Sequence, residues 1–523
     1  MPNSNSFIKH TLIFGIGGVI MHFAPVLLFP LYTNYLTPGI YGTLDILYRT
    51  ADIINTVLMV SGIRLAALTF FRQAESEEER RRVAVTVTLF TWALVTAAIL
   101  LTALFAGHIN LFLKLGDTRL LLFGLTTAFL DTLIGVPLAL TQARLESVRY
   151  IMITSSMLVA RVALCVYFIA FLKLGIWGAL GSQFIVTIVF GVLLTIREAR
   201  IGLCLPDLSK LNDIIMFSLP FIPVGILFFF YTNADRYFVL TSDYYAEPKT
   251  ALAAIGLYVL AERLVGFANV FGSMPMNTVW SAEMYDIYKQ LDASEAFGRF
   301  TLRIMCVHTF CVLGICTFST ELILAICDNS YRRAIDLVPL FGVMSCLTQL
   351  SLQAENTFYI TRKTYYKIVN NTAALPLVLL LMYILVPRYG IMGAAIALTI
   401  TKFFSTVVTY VITLRLFRVK YPLTRFMLLF AVTAWCFWMS SIFGNDAELQ
   451  TMTTTEFDVL TKWEKLQNVW ERMRIPLAWK TGVMIMWLAM VWFTGILSRE
   501  DKETIAGWIK RIYNLLVPSD KGE

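Results

Sequence analysis

Fourteen apolar stretches, each long enough to cross a bilayer, recur along these 523 residues, at approximately 11–32, 41–71, 83–106, 119–143, 150–172, 175–196, 214–240, 252–279, 300–320, 334–360, 366–387, 391–414, 426–444 and 476–497. A hydrocarbon core needs about 20 predominantly apolar residues per helical span. With no water to satisfy the backbone in lipid, such stretches close their hydrogen bonds internally as helices. Composition excludes the soluble alternative: 58% of the residues are hydrophobic and 15% are charged, against about 45–50% apolar and about 25% charged in a soluble domain. Disorder requires low hydrophobicity and is excluded as well. The expected fold is an all-α polytopic membrane protein with about 14 transmembrane helices.

Lys and Arg gather in alternate connections, including Arg72 with Arg80–Arg82, Arg144 with Arg149, Arg362 with Lys363, and Arg415 with Arg418 and Lys420. The positive-inside rule then places both termini in the cytoplasm, in agreement with an even number of spans. The net charge of +8 is accordingly read as a topology signal, and no nucleic-acid partner is implied. The eight cysteines form no C-x-x-C pair and the four histidines are scattered, so no metal site is expected. No G-x-x-x-x-G-K-[ST] run occurs, which argues against nucleotide hydrolysis; no cofactor is expected. The start of the chain runs into the first span without an A-x-A-like site, so no removable signal peptide is expected.

Two segments repeat at a nearly constant offset. Tyr41-Gly42, Arg49 and Asn55 correspond to Ile255-Gly256, Arg263 and Asn269 at 214 residues; Gly175-Ile-Trp-Gly-Ala179 corresponds to Gly390-Ile-Met-Gly-Ala394 at 215. Six spans separate equivalent points, so both copies share one orientation, as in parallel repeats with a substrate site where the halves meet. The expected organisation is two pseudo-symmetric six-helix lobes, 1–200 and 201–425, with two extra helices in 426–523.

Among the ionisable residues within the spans are these twelve: Asp45, Asp52, Asp131, Asp235, Glu262, Glu355, Arg49, Arg64, Arg161, Arg236, Arg263 and Lys402. At ~2.5–3.5 kcal/mol each if they faced lipid, they would cost on the order of 36 kcal/mol, beyond the ~5–15 kcal/mol by which proteins are stable. They must face one another, a wet cavity or the interface. Asp45, Arg49, Asp52 and Thr56 share one face of a helix. That face is either a salt-bridge ladder in which two aspartates share Arg49, or the wall of a cavity where Arg49 meets an anion. Arg263 is its repeat partner, and two guanidinium forks make a good clamp for a phosphate or pyrophosphate. Arg161 and Lys402 lie mid-span and add positive potential. Arg64 and Glu355, nearer the cytoplasmic ends, are read as gating or interface pairs, and Asp235-Arg236, toward the outer end of its span, as a structural pair or a substrate contact. Pro25 and Pro30 in the first span, and Pro220 and Pro223 in the seventh, are expected to bend equivalent helices.

Pro30-Leu-Tyr-Thr-Asn-Tyr-Leu-Thr-Pro-Gly-Ile-Tyr-Gly42 resembles the first-loop signature of bacterial oligosaccharide flippases, the O-antigen and polysaccharide exporter group. Asn233-Ala-Asp-Arg-Tyr237 and Gly256-Leu-Tyr-Val-Leu-Ala-Glu-Arg263 resemble that family's seventh and eighth spans, and the likeness runs over roughly residues 7–415. It implies the multidrug/oligosaccharidyl-lipid/polysaccharide exporter fold. It also implies a transporter, not an enzyme, of the bacterial inner membrane. Its substrate would be an undecaprenyl-pyrophosphate-linked oligosaccharide, turned to the outer leaflet for surface polysaccharide such as the O-antigen of lipopolysaccharide. The expected mechanism is alternating access through a cationic cavity between lobes, driven by an H⁺ or Na⁺ gradient or by consumption of the sugar outside, with Asp45, Asp52, Asp131 and Glu262 as ion carriers or pairing groups. Expected partners are the lipid-linked oligosaccharide, membrane lipids, and a polysaccharide polymerase or ligase. An ion-coupled extruder of drugs or organic cations with the same fold is the alternative. The long 445–475 connection carries an amphipathic stripe over Glu456–Met473, and Ile505–Leu516 carries another; both are read as interfacial anchors.

Overall fold

A computed structural model describes residues 26–201, 206–443, 462–497 and 502–503. It is helical throughout; among the described residues ten helices are long and apolar enough to cross a membrane, or eleven if one bent pair is one span. The protein is a multi-pass membrane protein. The elements are α1 (26–35), α2 (Pro38–Val57), α3 (Val60–Gln73), α4 (Glu77–Leu104), α5 (Ala106–Leu113), α6 (Thr118–Ala143), α7 (Ser147–Val166) and α8 (Gly175–Ile201). There follow α9 (Leu208–Ser218), α10 (Phe221–Thr241), α11 (Pro248–Ala268), α12 (Met274–Ile287), α13 (Ala293–Thr317) and α14 (Ser319–Ile326). The last are α15 (Val338–Ile360), α16 (Tyr365–Leu416), α17 (Leu423–Phe443) and α18 (Lys462–Phe493). Most of the first expected span lies outside the described residues, as do Pro25, the 445–461 part of the long connection and the Ile505–Leu516 stripe. From residue 462 the backbone runs as one helix into the last expected span.

Local chemistry sets the ends of these helices. Thr37 caps α2, with Pro38 in its first turn. Ser76 caps α4, accepting from the Glu79 N–H at 3.1 Å, and Glu79 reaches back to the Glu75 N–H at 3.0 Å. That reciprocal arrangement and the acidic first turn Glu77–Glu79 suit the positive end of a helix. Asp117 and Asp207 cap α6 and α9, each side chain accepting from the N–H groups two and three residues on.

Two expected spans are broken. The second bends by 49° between α2 and Gly62–Gln73. Met59 takes a left-handed φ of 59° there, and just beyond it Gly62 lies so close to Ser218 that a Cβ would come within 2.8 Å of the Ser218 Cβ. The seventh is interrupted between α9 and α10 at Pro220, whose ring removes a backbone donor.

The chain forms two compact units. The first comprises Met1–Arg263, Ile326–Phe341 and Tyr365–Ser405; the second comprises Leu264–Ala325, Gly342–Thr364 and Thr406–Glu523. In the first, Ile63, Phe71, Val87, Leu140 and Ile214 form an apolar core where α3, α4, α6 and α9 meet. In the second, Trp280, Met284, Phe297, Ile360 and Val419 form another, and Lys480 of α18 pairs with Glu321 of α14 at 2.8 Å, both buried.

Gly175 and Gly390, equivalent at 215 residues, both have positive φ, 56° and 55°. Gly390 divides α16 into the two spans expected at 366–387 and 391–414. Their surroundings differ. A Cβ on Gly175 would meet nothing within 4 Å, whereas on Gly390 it would lie 2.5 Å from the Tyr245 hydroxyl oxygen, which accepts from the Ile391 N–H at 3.0 Å. Both alanine variants bear the cost of a positive φ, ~1–3 kcal/mol; only Gly390→Ala adds a clash. Thermal unfolding in detergent should therefore show Gly390→Ala lower than Gly175→Ala, and equal midpoints would contradict this account.

Candidate functional site

The site is built where α2 and α11 cross within the first unit. A Cβ on Gly42 would overlap the carbonyl oxygen of Leu252, and a Cβ on Gly256 would overlap that of Pro38. Positions 38 and 42 become 252 and 256 under the 214-residue offset, so the contact is isologous, as at a two-fold axis. The missing side chains let the two backbones approach closely.

One helical turn beyond Gly42, Asp45 is 2% exposed. Three guanidinium groups surround its carboxylate: Arg236 Nε at 3.3 Å, Arg49 Nε at 3.8 Å and Arg263 Nη2 at 3.8 Å. Arg236, itself 1% exposed, also donates to Asp235 at 2.6 Å and to Glu262. Arg236 lies over the Tyr258 ring and Arg263 over the Tyr41 ring, each at 5.2 Å. Asp45, Asp235 and Glu262 thus meet three guanidinium groups, which makes burial tolerable because each charge has opposite-sign neighbours.

Arg49 and Arg263 differ from Arg236 in being partly open, with side chains 31% and 29% exposed. Arg49 also reaches Asp52 at 3.4 Å, so the two aspartates of the α2 face do share it. Arg49 and Arg263, 214 residues apart, approach the one carboxylate of Asp45 from α2 and α11.

The remaining candidates sit apart from this cluster in their direct contacts. Arg161 donates to the Gln183 side-chain oxygen at 2.8 Å, as Tyr48 does at 2.5 Å. Asp131 accepts from Thr187 at 3.2 Å. Lys402 lies 5.9 Å from the Tyr231 ring centroid. In the second unit, Glu355 accepts from Ser351 at 3.4 Å. Asp52, Arg64 and Asp131 line a cavity of about 280 Å³ together with Tyr48, Asn55 and Gln183. Its ionisable lining is thus two acids and one base, without a positive surplus. Among the described residues, no group of three or more His, Cys, Asp or Glu is placed to hold a metal ion.

Sequence reasoning understated Arg236, read as one half of a local pair, although it joins α2, α10 and α11. It also missed Tyr41, Tyr48 and Gln183, which look like packing residues in apolar stretches. Helical spacing held a partial signal: Tyr41 and Tyr48 lie four before and three after Asp45, on its side of α2.

Residues 7–281 match the polysaccharide biosynthesis protein family. No curated protein matches the sequence. Among solved structures the chain is similar to the lipid II flippase MurJ in an inward closed conformation, at 12% identity and TM-score 0.64, covering 94% of this chain and 99% of that one. It is also similar to an inward-facing multidrug resistance MATE family transporter of the MOP superfamily, at 14% identity and TM-score 0.59, over 76% of this chain and 95% of that one. A third is a MOP superfamily transporter from Pyrococcus furiosus, described as having a binding pocket of reverse polarity, at 14% identity and TM-score 0.52, over 80% and 96%. At such identities the likeness establishes a shared fold.

Proposed function

The chain belongs to the polysaccharide biosynthesis protein family, and we propose that within it this protein is a flippase for a lipid-linked oligosaccharide. The proposed substrate is an undecaprenyl-pyrophosphate-linked oligosaccharide, moved from the inner to the outer leaflet of a bacterial inner membrane, with both termini in the cytoplasm. One observation carries the reading: Arg49 and Arg263, equivalent in the repeat, converge on Asp45 while staying about 30% exposed. Two forks aimed at one oxyanion from two helices match a diphosphate, whose charge cannot enter hydrocarbon unpaired. Arg161 and Lys402 extend the positive potential in this reading. An H⁺ or Na⁺ gradient is the proposed driving force. Asp45, Glu262 and Asp52 are engaged by guanidinium groups, which leaves Asp131, on the cavity wall, as the proposed ion carrier.

The test is alanine at Arg49 and at Arg263, with protein level read by immunoblot and surface polymer by gel. Each variant is expected to lose surface polymer by tenfold or more, the effect of removing ~1.4 kcal/mol or more of binding, at unchanged protein level. Arg49→Lys should recover only part, because it keeps the charge and loses the fork. Normal polymer in both alanine variants would overturn the reading. The acidic lean of the 280 Å³ cavity favours a second reading, export of organic cations. That reading predicts drug hypersensitivity on deletion, with surface polymer intact.

A further inference from the structure

We propose that Asp45 is an internal stand-in for the cargo's phosphate, holding Arg49 and Arg263 while the site is empty and competing for them when the diphosphate must leave. The inference rests on the flippase reading above and adds a residue that sets release.

The argument begins with two kinds of contact to Asp45. Arg236 approaches at 3.3 Å and is bonded to Asp235 and Glu262 besides. Arg49 and Arg263 both stand at 3.8 Å, beyond the ~2.7–2.9 Å of a charge-assisted hydrogen bond. The Arg49 Nε is buried and, among the described residues, has no hydrogen-bond partner. Arg49 also donates to the exposed Asp52, at 3.4 Å. Both groups are therefore neutralised by Coulomb attraction at long range, with no short hydrogen bond to either aspartate. A phosphate oxygen supplies the acceptors they lack.

Asp45 cannot withdraw when that happens. It sits in the first turns of α2, beside the crossing where no side chain separates α2 from α11, and the buried Arg236 holds its Oδ2. Bound cargo and Asp45 would share Arg49 and Arg263 at close range, two anions on one pair of cations. Repulsion between them lowers the affinity of the loaded clamp. A site that binds too tightly does not conduct, since entry and exit must both be possible. Asp45 gives the clamp an intermediate affinity and closes the guanidinium groups onto itself once the cargo has gone.

The experiment titrates the detergent-purified full chain with inorganic pyrophosphate and measures surface polymer in cells. Asp45→Asn keeps the shape and removes the competing charge. It is expected to bind pyrophosphate about tenfold more tightly, the factor given by ~1.4 kcal/mol, while surface polymer falls. Opposite signs in affinity and output are the discriminating result, because a merely structural role for Asp45 would lower both. Asp45→Glu pushes the carboxylate further between the guanidinium groups and should weaken pyrophosphate binding; it decides the matter if Asp45→Asn does not fold. Wild-type binding with no gain in Asp45→Asn, or with equal affinity in Asp45→Glu, overturns the inference and leaves the flippase reading standing. If the wild type does not bind pyrophosphate, or if Arg49→Ala and Arg263→Ala bind it as the wild type does, the flippase reading falls and the inference falls with it.

Discussion

Gly42→Ala and Gly256→Ala are each expected to deplete the membrane of folded protein. The added methyl has no rotamer to escape into, and what it meets is backbone: the Leu252 carbonyl oxygen and, at 2.9 Å, the Gly256 nitrogen for Gly42; the Pro38 carbonyl oxygen for Gly256. Only a separation of α2 from α11 by about an ångström relieves such overlap, and overpacking of this kind costs typically ~1–3 kcal/mol and occasionally more. The cost here belongs at the upper end. Asp45 follows Gly42 by one turn, so parting the helices also stretches the Asp45 contact to Arg263. Gly266 is the control: it lies further along α11, and a Cβ there would meet nothing within 4 Å. Fluorescence size-exclusion profiles of the three alanine variants should show monodisperse protein for Gly266→Ala and collapse or aggregation for the other two. A monodisperse, normally melting Gly256→Ala would mean that the helices do not cross as closely as described.

How much of this was legible beforehand follows from what a linear pattern encodes. Apolar length marks the spans, because lipid imposes one backbone solution. The 214-residue offset pointed to Gly42 and Gly256 as equivalents; that they touch one another could not be read, since a glycine spared for packing looks like any other glycine in a greasy helix. The 3.6-residue period placed Asp45, Arg49 and Asp52 on one face and anticipated a shared arginine. It could not tell how far each residue of that face is buried, yet Asp45 is 2% and Asp52 55% exposed. The break at Met59 was hidden for a different reason: neither proline nor glycine occupies that position, and the turn is held by the tertiary approach of Gly62 to Ser218. Arg236 was undervalued because its immediate neighbour, Asp235, offered a sufficient partner in sequence. Its other two partners come from helices 191 and 26 residues away in the chain.

Arg236 should consequently be the residue of this cluster whose loss is felt most in stability. Arg236→Met keeps most of the side-chain bulk and removes the only one of the three guanidinium groups that is fully buried. Asp45 at 2% and Asp235 at 0% exposure then lose their common cation, and Glu262 loses its bond as well. Removing one partner from a buried ionic arrangement costs ~3–5 kcal/mol because the charge left behind is uncompensated, a large share of a typical ~5–15 kcal/mol. Arg49→Ala offers the contrast. Its side chain is 31% exposed and its contacts to carboxylates are 3.4 and 3.8 Å long, so its removal should shift the thermal midpoint only slightly while abolishing surface polymer. The double variant Arg236→Met, Asp235→Asn should recover part of the loss, since it removes one stranded carboxylate, and the coupling in that cycle isolates the pair. If Arg236→Met melted with the wild type, or if Asp235→Asn deepened its defect, the ion pairs gathered on Arg236 would not be what holds α2, α10 and α11 together.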